Sequence, residues 1–172
     1  MVQEYRVKIY EDRTEWYNLE GLLHRLDGPA LDYNEGTKAW YVNGNRHRID
    51  GPAIQWSDGS KSWWVKGKLH RIDGPAIECS NGVKEWYVNG QLHRVDGPAV
   101  EWSDGYKSWW VNDQRHRVDG PAIECSDGHK EWWVNGERHR EDEFKRKVNP
   151  IKELTVEEIS NLLGYEIKVI KS

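Results

Sequence analysis

Six histidines recur at fixed spacing: His24, His47, His70, His93, His116 and His139, each followed by arginine. In the first five copies the string reads His-Arg-x-Asp-Gly-Pro-Ala. Imidazole, guanidinium and carboxylate are the raw materials of metal centres, acid–base pairs and anion sites. Spacing decides among these. The copies start 23 residues apart, and a two-strand unit advances only about 9–10 Å. Metal–nitrogen bonds are about 2 Å long, so neighbouring imidazoles cannot share one ion. A residue present in every copy also serves the folding of that copy. The histidine ladder therefore reads as structural, and no metal is expected. His129 lies outside the ladder and reads as exposed.

Arg94 and Asp96, with their counterparts, read as a charge ladder in which Asp also braces the Gly-Pro corner. Arg71, Arg94 and Arg117 are the secondary candidates, able to hold an anionic ligand. His-Arg-x-Asp also occurs in protein-kinase catalytic loops, but here no Gly-rich loop or metal-binding partner accompanies it. Catalysis does not come in five copies. The expectation is no enzyme and no cofactor. Cys79 and Cys125 stand two units apart, roughly 19 Å, beyond disulfide reach. They read as small apolar fillers.

The elements that position these residues follow from composition and period. Eleven Trp and eight Tyr accompany one Phe and one Met, and 31% of the 172 residues are charged. Indoles suit a thin, half-wet structure, since they bury a large body and keep an N–H for bonding. A net charge of −4 disfavours nucleic acid and anionic membrane surfaces as partners. With no apolar run of membrane length and no apolar leader, the expected location is cytoplasmic.

Each unit carries two turn signals. Ser103-Asp104-Gly105 and its counterparts place Gly third, where a three-residue hairpin loop needs positive φ. Asn89-Gly90 and its counterparts mark a two-residue turn, with Asn112-Asp113 as the variant. Between the turns lie short runs of strand formers. A three-residue loop sets Trp102 against Tyr106, Glu101 against Lys107, Val100 against Ser108 and Ala99 against Trp109. It also pairs Glu78 with Lys84 and Glu124 with Lys130, whereas a two-residue loop would set glutamates against each other. The predicted fold is all-β: an elongated antiparallel meander or solenoid of tandem 23-residue β-hairpin repeats with a small C-terminal helix–strand appendix.

This register separates two faces. One repeats without change: Ala76, Ala99 and Ala122 with Trp86, Trp109 and Trp132, then Val88 and Val111. The other alternates, with Trp56, Cys79, Trp102 and Cys125 in step with Ser62, Glu85, Ser108 and Glu131. The constant face reads as packing. The alternating face carries the candidate binding row Trp56, Trp64, Tyr87, Trp102, Trp110 and Trp133, because a contiguous aromatic patch is rarely left bare without a use.

The 23-residue period, the Asp-Gly turn, the tryptophan strand and the Asn-Gly-x-x-His sequel resemble MORN repeats over about residues 15–142. They resemble more closely the His-Arg-x-Asp-Gly-Pro-Ala variant of phage, giant-virus and bacterial proteins. MORN repeats usually place Gly after the His, where this chain has Arg. The resemblance implies a scaffold for protein contacts, and in a phage setting an inhibitor of a host defence protein. A partner protein is thus the first expectation. A small anionic or nucleotide-like ligand is the alternative, and a purely structural, homo-oligomeric scaffold is the third.

The ends differ from the repeats. Residues 1–23 read as an edge strand (Tyr5, Val7, Ile9) and an irregular half-repeat, in which Trp16 and His24 are eight apart rather than seven. Residues 24–143 hold five repeats and a truncated sixth. Residues 144–172 read as a linker around Lys145-Arg146-Lys147 and Asn149-Pro150, followed by a helix and a strand. Thr155 with Glu158 forms a capping box, Val156, Ile159, Leu162 and Leu163 follow at helical spacing, and Gly164 stops the helix. Tyr165, Ile167 and Val169 alternate as a strand. The tail reads as a cap over the open sheet edge or as a docking element for a partner.

Overall fold

The computed structural model describes residues 4–148 and 155–163. Thirteen short strands form one antiparallel sheet whose order follows the chain, and the sheet is not closed. It begins with Arg6–Ile9 paired to Arg13–Tyr17, so the N-terminal segment is an edge strand as its alternation predicts. The extra residue of the first half-unit sits in a loop closed by Asn18 N–H to the Leu22 carbonyl, with Gly21 at φ 83°.

The loop-based register holds. Val100 opposes Ser108 and Glu101 opposes Lys107, while the next unit pairs Lys107 with Glu124. Trp102 donates to the Tyr106 carbonyl at 2.9 Å, and Gly105 closes the turn at φ 97°. Glu78 faces Lys84 and Glu124 faces Lys130.

One pairing differs. Ala99 does not oppose Trp109; its N–H donates to the Ser108 carbonyl at 2.8 Å, while Trp109 donates to Ala122 of the next unit. Two residues, Ala99 and Val100, thus share one partner, a doubling that bends a strand. The chain leaves the main ladder there. Trp110–Val111 pairs instead with Gln114–Arg115 as a separate hairpin. Each unit is therefore two hairpins rather than one. The second hairpins are also linked along the array: Gly90 donates to Leu69 and Arg94 to Trp110. The last unit lacks the break, its strand running from Lys130 to Val134.

The second turns carry positive φ at both central residues, 54° and 87° at Asn89-Gly90, the type I′ geometry that matches strand twist. The core is thin. Ala30, Ala53, Ala76, Ala99 and Ala122 are fully buried, with Ile54, Val100 and Ile123 beside them in the sheet.

The expected linker is a helix at its start. Helix α1 (Glu141–Val148) incorporates Lys145-Arg146-Lys147. Acidic residues fill its first turn and basic residues its last, matching the helix dipole. Lys145–Glu141 and Arg146–Asp142 pair four apart, and Phe144 is buried. Helix α2 (Val156–Leu163) forms where its periodicity predicts, and Ile159 donates to the Thr155 carbonyl. The expected turn at Asn149-Pro150, the Gly164 stop and the strand at 165–169 lie outside the described residues. Among the described residues no helix is long and apolar enough to cross a membrane.

Candidate binding surfaces

The constant face is built around a stack. The guanidinium carbons of Arg71, Arg94 and Arg117 lie 3.9–4.1 Å from the ring centroids of Trp63, Trp86 and Trp109. Each Nε donates to the aspartate two residues on, and each Nη1 to the proline carbonyl four on and to a glutamate carboxylate seven on. These three candidates are thus committed to their own units. The arginine hydrogen bond holds Asp27, Asp50, Asp73, Asp96 and Asp119 below the usual carboxylate range.

The histidines join units. Nδ1 of His24, His47, His70, His93 and His116 accepts the backbone N–H of the turn residue 19 positions on, at 3.0–3.3 Å. At His24, His47, His70 and His116 an accepting Nδ1 places the proton on Nε2; His93 Nδ1 also lies 2.9 Å from Asn112 Oδ1.

The alternating face splits its six candidates into two groups. Trp64, Tyr87, Trp110 and Trp133 are half-buried. Trp64 and Trp110 donate Nε1–H to the buried Ser62 and Ser108 hydroxyls at 2.7 and 2.8 Å. Tyr87 and Trp133 donate to Glu85 and Glu131 instead. Burial beside the Glu85 charge pushes the Tyr87 hydroxyl well above its ordinary pKa. Arg115 lies between Trp110 and Trp133, 5.0 Å from each ring. Trp64 likewise lies 4.9 Å from the guanidinium of Arg46. Trp56 and Trp102 are different: they remain 39% and 48% exposed, and Trp102 rests against Tyr106 with centroids 4.7 Å apart. Cys79 and Cys125 occupy the same register in the other units, their thiols pushed up by partial burial.

A further row escaped the sequence reading. The variable residue of the His-Arg-x-Asp string is Leu26, Ile49, Ile72, Val95 and Val118, all strongly exposed. The signal was present, since a position written as variable is aliphatic in every full copy.

No protein-family model matches the chain, and a search of the curated proteins finds no match.

Proposed function

We propose that this chain is a non-catalytic, MORN-like binding array that holds a partner protein against the face carrying Trp56 and Trp102. One observation carries the reading: two large indoles stand in solvent at a register where Cys79 and Cys125 serve the same fold. The fold does not require tryptophan there, and partly exposed Trp is a typical interface anchor. The phage resemblance directs the search for the partner toward host defence proteins. Commitment of Arg71, Arg94 and Arg117 to aspartate and carbonyl oxygens weighs against an anionic small ligand.

The test is affinity capture from host lysate with the wild type and with a Trp56→Ala/Trp102→Ala chain. Loss of a captured protein with little change in melting temperature supports the reading; undiminished capture overturns it. Trp110→Ala is the contrasting variant. It removes a half-buried ring bonded to Ser108 and is expected to cost about 2–4 kcal/mol of stability. A nucleotide-sized adduct in native mass spectrometry would instead favour the small-ligand reading.

A further inference from the structure

The aliphatic row is uneven in one informative way. Ile49, Ile72 and Val95 are 86%, 84% and 82% exposed, while Leu26 and Val118 at the two ends fall to 58% and 55%. Tyr5 lies at one of those ends and helix α1 at the other. The Leu26 N–H donates to the Tyr5 hydroxyl, and Val118 lines a hollow shared with Phe144 and Val148 of α1. Exposed aliphatic side chains contribute nothing to the fold's core, yet the motif keeps one in every full copy.

Successive members of the row wall a series of hollows. Ile72 and Val95 flank one floored by Trp86 and Val88, and Val95 and Val118 flank the next, floored by Trp109 and Val111. Asp73, Asp96 and Asp119 stand on the rims at 86%, 80% and 77% side-chain exposure; each holds the Nε of an arginine that is itself only 20–22% exposed, so the outermost charge is acidic. In the last unit helix α1 covers this position: Phe144 is buried at 4% exposure and, with Glu141, Lys145 and Arg146, lines a hollow shared with Trp132, Val118 and Asp119. The chain thus supplies its own example of an occupant, a helix whose apolar anchor is buried there while Lys145 and Arg146, paired with Glu141 and Asp142 of the same helix, lie beside it.

We infer that the remaining hollows form a docking track for a basic amphipathic helix of a partner protein, with one apolar anchor per hollow. The hollows repeat every ~9–10 Å along the array. A helix rises 1.5 Å per residue, so side chains seven apart share a face and lie about 10.5 Å apart. A helix laid along the array therefore offers anchors at heptad spacing, with lysines and arginines beside them facing the aspartate rims. The track lies on the opposite side of the sheet from Trp56 and Trp102, so it stands or falls independently of the proposed function.

The probe is a fluorescein-labelled helical peptide of about three heptads, with Phe once per heptad, Lys and Arg beside each Phe and Ala elsewhere. Anisotropy titration with the full chain should show saturable binding, weakened at least ~10-fold by Ile72→Ser/Val95→Ser. The melting temperature of that variant should stay unchanged, since both side chains stand in solvent. Four outcomes of the titration would overturn the inference. One is no binding, and another is equal binding by the variant. A third is equal binding of a peptide with Phe at five-residue spacing, which would show charge attraction alone. The fourth is preference for a proline-rich peptide with anchors every third residue, about 9.3 Å apart. Sedimentation of the unlabelled chain tests the remaining occupant: self-association abolished by Ile72→Ser/Val95→Ser would assign the track to a second copy and overturn the helix.

Discussion

The guanidinium of Arg94 sits over the indole of Trp86, 4.1 Å from the ring centroid, and closes off the other side against Gly97. A Cβ on Gly97 would meet Arg94 Cζ at 2.9 Å. This relationship explains most letters of the motif. Arg covers the tryptophan, Asp96 holds Nε, the Pro98 carbonyl accepts from Nη1, and Gly leaves room for the plane of the guanidinium. It also explains the arginine that follows each motif histidine: it is the lid over the Trp face.

Arg94→Lys keeps the charge but loses the planar fork and the stack, and should lower stability by about 1–2 kcal/mol. Gly97→Ala should cost about 1–3 kcal/mol by overpacking. Because the methyl would displace the same guanidinium, the double variant should cost less than the sum. Urea denaturation of the three variants measures this. Strict additivity would show that Arg94 and Gly97 do not act as one clamp.

Acid should loosen the array. The five motif aspartates have folded pKa values depressed by their arginines, against about 3.9 for an unfolded aspartate. Their contribution is complete above that unfolded value and is lost as pH falls through the depressed folded values. Melting temperature should therefore drop steadily below about pH 4, and the drop should be smaller in Asp96→Asn. A flat profile through that window would remove the linkage.

Asp113 holds φ 61° at a turn position occupied by glycine elsewhere, and its carboxylate accepts the Leu92 N–H at 2.7 Å. That bond is exposed, so water replaces it at little cost, whereas the left-handed strain disappears with the side chain. Asp113→Gly should stabilise by about 0.5–1 kcal/mol. A lower melting temperature would mean that the Leu92 bond outweighs the strain.

Phe144 anchors α1 against the end of the array. Phe144→Ala should cost about 3 kcal/mol and release the helix from the Lys130–Val134 strand, leaving an edge that promotes aggregation. In a repeat array that loss is local, so amide exchange should quicken in the last unit before it does around Trp86. Uniform acceleration along the chain would contradict this.

The sequence by itself determined the period, its turns, the register around the three-residue loop and its two faces. Those depend on contacts within a few residues: a glycine at positive φ in a three-residue loop, Glu101 across from Lys107, side chains alternating along a strand. Alternation states which side a ring is on but not what covers it. Whether Trp110 is locked under Arg115 while Trp102 stays in solvent depends on side chains that meet only after the units stack. The break at Trp109 is likewise set by the neighbouring unit, because its N–H goes to Ala122. Lys145-Arg146-Lys147 resembles a solvated linker until Phe144 finds its seat beside Trp132. The exposed row from Leu26 to Val118 emerges for the same reason: exposure is decided by tertiary packing, where neighbouring units, Tyr5 and helix α1 cover some aliphatic side chains and leave Ile49, Ile72 and Val95 in water.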